Sequence, residues 1–326
     1  MTTATGMGSW PGTDVREAVR TVRDLFADDL PWLPETPARG PGADLIGRSA
    51  ALLVDLPVDL QPAGWRLVDR PGRDAARTAS LWRRDLDELA EAFDGWAGDL
   101  KVQVCGPWTL AASLALTRGE RAVVDAGAAK ELVESLAEGI RGHLADVAGL
   151  VPGARLVLQL DEPSLPAVLE GSLPTASGYG RIRPVDPQTC ADGLRTVLDA
   201  AAGRATLVHC CHPRVPVPLL RNAGAGGLAV DTGLLGPAAW ESVAVCVESG
   251  MRLYAGCLAT DGTGTRSAAV DALLRSWERT ALPASALDAV VVSPGCGLAG
   301  LTPEGARAVS AVTIDIARDL TDRAHA

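Results

Sequence analysis

One feature constrains this chain more than any other: short strand-like runs alternate with longer helical segments along its whole length. The runs are "TATGMGS" (3–9), "PWLPETP" (31–37), "LKVQVCGP" (100–107), "RLVLQLDEP" (155–163), "ATLVHCC" (205–211), "GLAVDTG" (227–233), "RLYAGCLAT" (252–260) and "AVVVSPGCG" (289–297), the second being the least strand-like. Helical patterns fill the gaps, for example over Asp14–Asp29, Asp74–Trp96, Ala128–Ala148, Arg266–Thr280 and Pro303–Arg323, several opened by an Asp, Thr or Ser cap. Eight β–α units in 326 residues predict an α/β fold, a single (β/α)₈ TIM barrel occupying residues 1–326. The stretch from 40 to 72, with "LPVDLQPAGWRLVDRPG", reads as an inserted hairpin laid over one end.

In such barrels the chemistry sits at the C-terminal ends of the strands. Polar punctuation falls there: Ser9, Asp161, His209 with Cys211, Asp231, Asp261 and Cys296 follow successive runs. One mouth would collect them all. Side chains at i and i+2 of a strand share a face, so His209 and Cys211 point together while Cys210 points into the opposite layer. Asp161 and Glu162 are adjacent, so one faces the mouth and the other the helix layer. Glycines around Cys296 let the backbone turn sharply and bring its sulfur close.

An imidazole with two thiols suits Zn²⁺, which takes four tetrahedral ligands and keeps one position for substrate when catalytic. On spacing alone, a His-x-Cys pair is weak evidence, and buried cysteines acting as small hydrophobes are the plainer explanation of the pattern. The seven cysteines are odd in number and widely spread, which argues against a secreted disulfide framework and for reduced thiols. "VDTG" (230–233) lacks the second copy that aspartic-protease chemistry needs. "GMGSWPG" is not a dinucleotide fingerprint. His143 and His212 have no partner pattern.

Acidic residues outnumber basic ones, 40 to 30, with no basic block, which disfavours nucleic acid. No apolar run reaches the roughly 18 residues a membrane helix needs, and the first residues lack a signal-peptide pattern. The expected location is cytoplasmic.

Taken in order, "GMGSWPGT", "CGPWTL", "LQLDEPSL", "VHCC" and "VVSPGCGL" resemble the catalytic barrel of cobalamin-independent methionine synthases, in the superfamily that also holds uroporphyrinogen decarboxylase. The likeness runs from Thr5 to about Ala317. It implies zinc held by His209, Cys211 and Cys296, with Asp231 where the family has Glu; either Asp231 reaches the ion or water completes the shell. It further implies that Met7, Gly8 and Ser9 receive the carboxylate of homocysteine and that Asp161 takes its amino group. Glu35, over the presumed mouth, and Trp108 are further candidate substrate contacts.

The chain also departs from the family. No His follows the seventh run, which leaves Asp261 as the nearest group able to carry a catalytic proton. Ala112 or Ser113 stands where the family has a folate-packing Trp, and the N-terminal barrel of the long enzymes is missing. The implied activity is a zinc-dependent thiol methyltransferase making methionine, with a methylated corrinoid protein or methylfolate as donor. Two alternatives remain: a metal-free decarboxylase using Arg39, Arg48, Arg181 and Arg183, and a zinc- or thiol-binding barrel without turnover.

Overall fold

The structure, a computed structural model, describes residues 1–326. Nine strands form: β1 (Thr3–Ala4), β2 (Val58–Gln61), β3 (Gly64–Leu67), β4 (Asp99–Cys105), β5 (Arg155–Asp161), β6 (Ala205–His209), β7 (Gly227–Asp231), β8 (Arg252–Leu258) and β9 (Val290–Pro294). Seven of them make one parallel sheet in the order β1-β9-β8-β7-β6-β5-β4.

The remaining seam, between β4 and β1, is closed by the run at 31–37. Lys101 N–H donates to Pro31 O (2.9 Å) and Leu33 N–H to Lys101 O (3.0 Å) on one side. Leu30 N–H reaches Ala4 O (3.0 Å) and Glu35 N–H reaches Gly8 O (3.1 Å) on the other. Pro31, Pro34 and Pro37 have no N–H to give, so the segment pairs through isolated bridges instead of a continuous ladder. Eight strand positions thus surround the axis, as the alternation predicts.

Helices cover the outside. Asp14, Asp125 and Thr302 each accept a backbone N–H of the first turn and fix the starts of Val15–Leu25, Ala126–Leu150 and Pro303–Ala324. The expected insertion is present as the antiparallel hairpin β2–β3, preceded by the short helix Leu45–Ala50. Burying strand faces that alternate with period two is what divides the core. Outward residues such as Leu158, Leu160, Val208 and Cys210 join the large helix-facing core. Met7, Leu30, Val157, Leu207, Ala229, Tyr254 and Val291 form a separate cluster inside the barrel. That inner cluster is small because its upper neighbours are polar: Lys101, Gln103, Gln159 and Asp161 are all buried. No helix is long and apolar enough to cross a membrane.

Candidate metal centre

His209 ends β6 and shares its inward parity with Leu207; Cys211 lies two residues further on, while Cys210 is buried in the outer layer. Cys296 arrives from beyond β9, across the barrel mouth. The two sulfurs lie 3.2 Å apart, and the ligand atoms of His209, Cys211 and Cys296 all fall within 4.8 Å of one another. Glycines flank Cys296 for a steric reason. A Cβ on Gly295 would lie 2.7 Å from Asp231 Oδ2, and one on Gly297 would lie 2.0 Å from Ser9 Oγ.

The parallel register sets Asp161 of β5 directly beside His209 of β6. His209 Nδ1–H donates to Asp161 Oδ1 at 2.7 Å, which leaves Nε2 as the nitrogen free to hold an ion. That Nε2 is buried and has no protein hydrogen-bond partner. Burial opposes charging the imidazole, but the bond to Asp161 and the neighbouring Cys296 sulfur outweigh it and raise its pKa to about 9. The bond from Cys211 and the imidazole depress Cys296 to about 4, while sharing that bond drives Cys211 strongly upward. A buried imidazole nitrogen beside two cysteine sulfurs is the donor set that Zn²⁺ takes.

A cavity of about 130 Å³ opens on this cluster, lined by Met7, Ser9, Glu35, Leu45, Asp161, Pro163, His209, Cys211, Cys296 and Gly297. Glu35 is 5% exposed; burial lifts its carboxyl to about 7, and Gln103 Nε2 donates to it at 3.2 Å. Gly8 lies at the turn between Met7 and Ser9, its carbonyl accepting Trp32 Nε1–H at 2.9 Å. Of the adjacent pair Asp161 and Glu162, it is Asp161 that faces the mouth. Glu162 turns to the helix layer and accepts N–H bonds from Trp108 and Thr109, both 2.9 Å.

Two expected site residues lie elsewhere, and a third stands at the edge of the cluster. Trp108 starts the helix Pro107–Ser113, where its ring packs against Gly193 and its Nε1–H donates to Cys190 O at 2.8 Å; helical geometry turns it away from the mouth. Asp261 sits exposed on a turn, its carboxylate held by Thr263 N–H (2.9 Å) and Oγ1–H (2.6 Å). Those bonds keep it below the ordinary carboxylate range, the opposite of what a proton donor needs. Asp231 is half-buried beside the three-ligand cluster without being one of its members, its Oδ1 accepting Gly233 N–H at 2.9 Å and its Oδ2 facing Gly295 next to Cys296.

The arginines of the decarboxylase alternative do not line the cavity either. Arg39 and Arg48 both pair with buried Asp85, and Arg181 and Arg183 are exposed. Residues not anticipated from the sequence include Gln159, which donates to Asp161 Oδ1 at 2.8 Å, and Lys101 below it. The period-two pattern of "LKVQVC" and "RLVLQLD" carries both, since Lys101, Gln103, Gln159 and Asp161 fall on the inward parity.

Fold and site together define a closed α/β barrel with a soft-ligand centre at its mouth. Within that class, the chain belongs to the cobalamin-independent synthase family: the model of the family's catalytic domain matches residues 1–319. Membership makes it an enzyme of the thiol-methyltransferase kind. Among solved structures, a B12-independent methionine synthase from Shewanella sp. W3-18-1, in complex with selenomethionine, superposes with a TM-score of 0.65. That match has 11% identity and covers 98% of this chain and 97% of that one. The carboxyl transferase domain of Rhizobium etli pyruvate carboxylase gives a TM-score of only 0.26, at 16% identity over 69% of this chain and 41% of that one, and carries no argument. No curated protein matches the chain by sequence.

Proposed function

We propose that this protein moves a methyl group onto the sulfur of homocysteine, giving methionine, and that His209, Cys211 and Cys296 hold a Zn²⁺ for this reaction. The observation that carries the reading is the unpartnered, buried Nε2 of His209 beside two sulfurs 3.2 Å apart. When bound, zinc deprotonates a coordinating thiol, which at neutral pH is otherwise only a few per cent thiolate.

The chain's own residues do the rest. Asp161 Oδ1 orients the imidazole, and its second oxygen is left for the substrate ammonium. The turn at Met7, Gly8 and Ser9 offers backbone N–H groups and a hydroxyl to the substrate carboxylate. Buried Glu35 closes the far wall of a cavity sized for a small amino acid. These contacts supply positioning more than charge.

The family's independence from cobalamin, and the like description of the Shewanella relative, favour a methylfolate donor over a methylated corrinoid protein. Zinc quantification with methyl-transfer assays offering methylfolate and methylcobalamin side by side tests the reading. Cys296→Ser should remove both zinc and activity; a zinc-free variant with full activity would end it.

A further inference from the structure

Beneath the metal centre a lysine is buried inside the barrel with no carboxylate in contact. Lys101 is 0% exposed, its Nζ donating to Gly6 O at 2.8 Å and to Gln159 Oε1 at 2.5 Å, with the Trp32 ring 5.8 Å away. Gln159, also fully buried, donates through Nε2 to Met7 O at 3.1 Å and to Asp161 Oδ1 at 2.8 Å. Asp161 Oδ1 accepts His209 Nδ1–H. A continuous chain of bonds therefore runs from β4 through β5 to the imidazole of β6.

The polarity of this chain has one direction. A lysine has no acceptor in its ammonium form, and both its partners are oxygens, so it donates to them whether charged or neutral. Burial lowers it to about 7, which changes its charge but not the sense of these bonds. With Gln159 Oε1 committed to Lys101, the amide nitrogen must face Met7 O and Asp161. Asp161 Oδ1 then receives two donors, Gln159 Nε2–H and His209 Nδ1–H, which hold the carboxylate and the imidazole in one mutual orientation. Barrel interiors of this class are ordinarily filled by branched aliphatic side chains. A buried amine and amide in that position cost stability, which the inner layer accepts here.

We propose that Lys101 and Gln159 are positioning residues that fix the orientation of the Asp161 carboxylate, and through it that of His209, from below, Gln159 two hydrogen bonds and Lys101 three from the imidazole. This rests on reading His209 as a ligand through Nε2, and it adds the part of the barrel that prepares that nitrogen.

Two variants test it. Lys101→Met keeps length and removes the donor. Gln159→Glu keeps Lys101 a partner but sets an acceptor against Asp161. The readouts are zinc affinity by competition with a chelator, and the ¹⁵N shifts of His209 in the metal-free protein, assigned by its loss in His209→Gln. The wild type should display one sharp Nδ1 signal, protonated and held in the bond to Asp161. Both variants should shift or broaden the Nδ1 signal as Asp161 loses its brace, and bind zinc about tenfold more weakly, the lower end for groups supporting a ligand. Should Lys101→Met fail to fold, Gln159→Glu decides alone, since it preserves the brace between Lys101 and β5. Wild-type affinity or an unshifted Nδ1 signal in a folded Gln159→Glu protein would overturn the proposal. Failure of the wild type to bind zinc would overturn instead the assignment of the ligands, a result the chelator titration separates from the NMR.

Discussion

Replacing Asp161 with Asn changes one charge and tests both faces of the same side chain. Oδ1 accepts from Gln159 at 2.8 Å and from His209 at 2.7 Å in a site where Asp161 is 6% exposed. An amide oxygen placed there can still accept both bonds, so the fold should survive. What is lost is the ionic part of the bond to the imidazole. A hydrogen bond to a charged group contributes about 1.5–3 kcal/mol and a neutral one about 0.5–1.5 kcal/mol, a difference on the order of 1–1.5 kcal/mol. At 1.4 kcal/mol per factor of ten, zinc affinity should fall roughly tenfold. The amide nitrogen would stand where Oδ2 now borders the cavity, presenting a donor to the substrate ammonium, so KM for homocysteine should rise as well. Chelator competition reads the first effect and steady-state kinetics at saturating zinc reads the second. Unchanged zinc affinity in a folded variant would refute the orienting role; unchanged KM would refute the ammonium contact.

Asp261→Asn should leave kcat and KM within about twofold of wild type, because the carboxylate is exposed and engaged by Thr263; a large fall in kcat would return it to the chemistry. Glu35 has its pKa raised in the folded chain, from 4.5 to about 7, so it stabilises the fold most below about pH 4.5 and that contribution is lost as pH rises towards 7. Urea unfolding at pH 5 and pH 7.5 should therefore find Glu35→Gln gaining on wild type by a few kcal/mol at the higher pH; parallel pH profiles would contradict this. Within the helix Ala126–Leu150, a Cβ on Gly139 would fall 1.8 Å from Leu52 O, whereas one on Gly142 meets nothing within 4 Å. Gly142→Ala should gain up to about 1 kcal/mol in helix propensity, and Gly139→Ala should lose about 1–3 kcal/mol to overpacking, both read by thermal melts.

Much of this was legible in the linear order of residues. Alternating runs and helices specify a barrel, because strands buried on both faces and joined by helices have few other ways to close. The i, i+2 parity of His209 and Cys211 put two ligands on one face, and the same parity in "LKVQVC" and "RLVLQLD" marks the polar inner layer. Sequence alone determined which residue types stand at the ends of the strands. It could not decide which of them meet, because contact across a barrel depends on strand register, on closure and on side-chain direction. Tertiary structure joined Cys296 to Cys211 over the mouth, set Asp161 beside His209 by register, and turned Trp108 and Asp261 away, one by helical geometry and the other by a local turn. Local pattern fixes the direction of a side chain relative to its own backbone, while only the closed barrel converts those directions into distances.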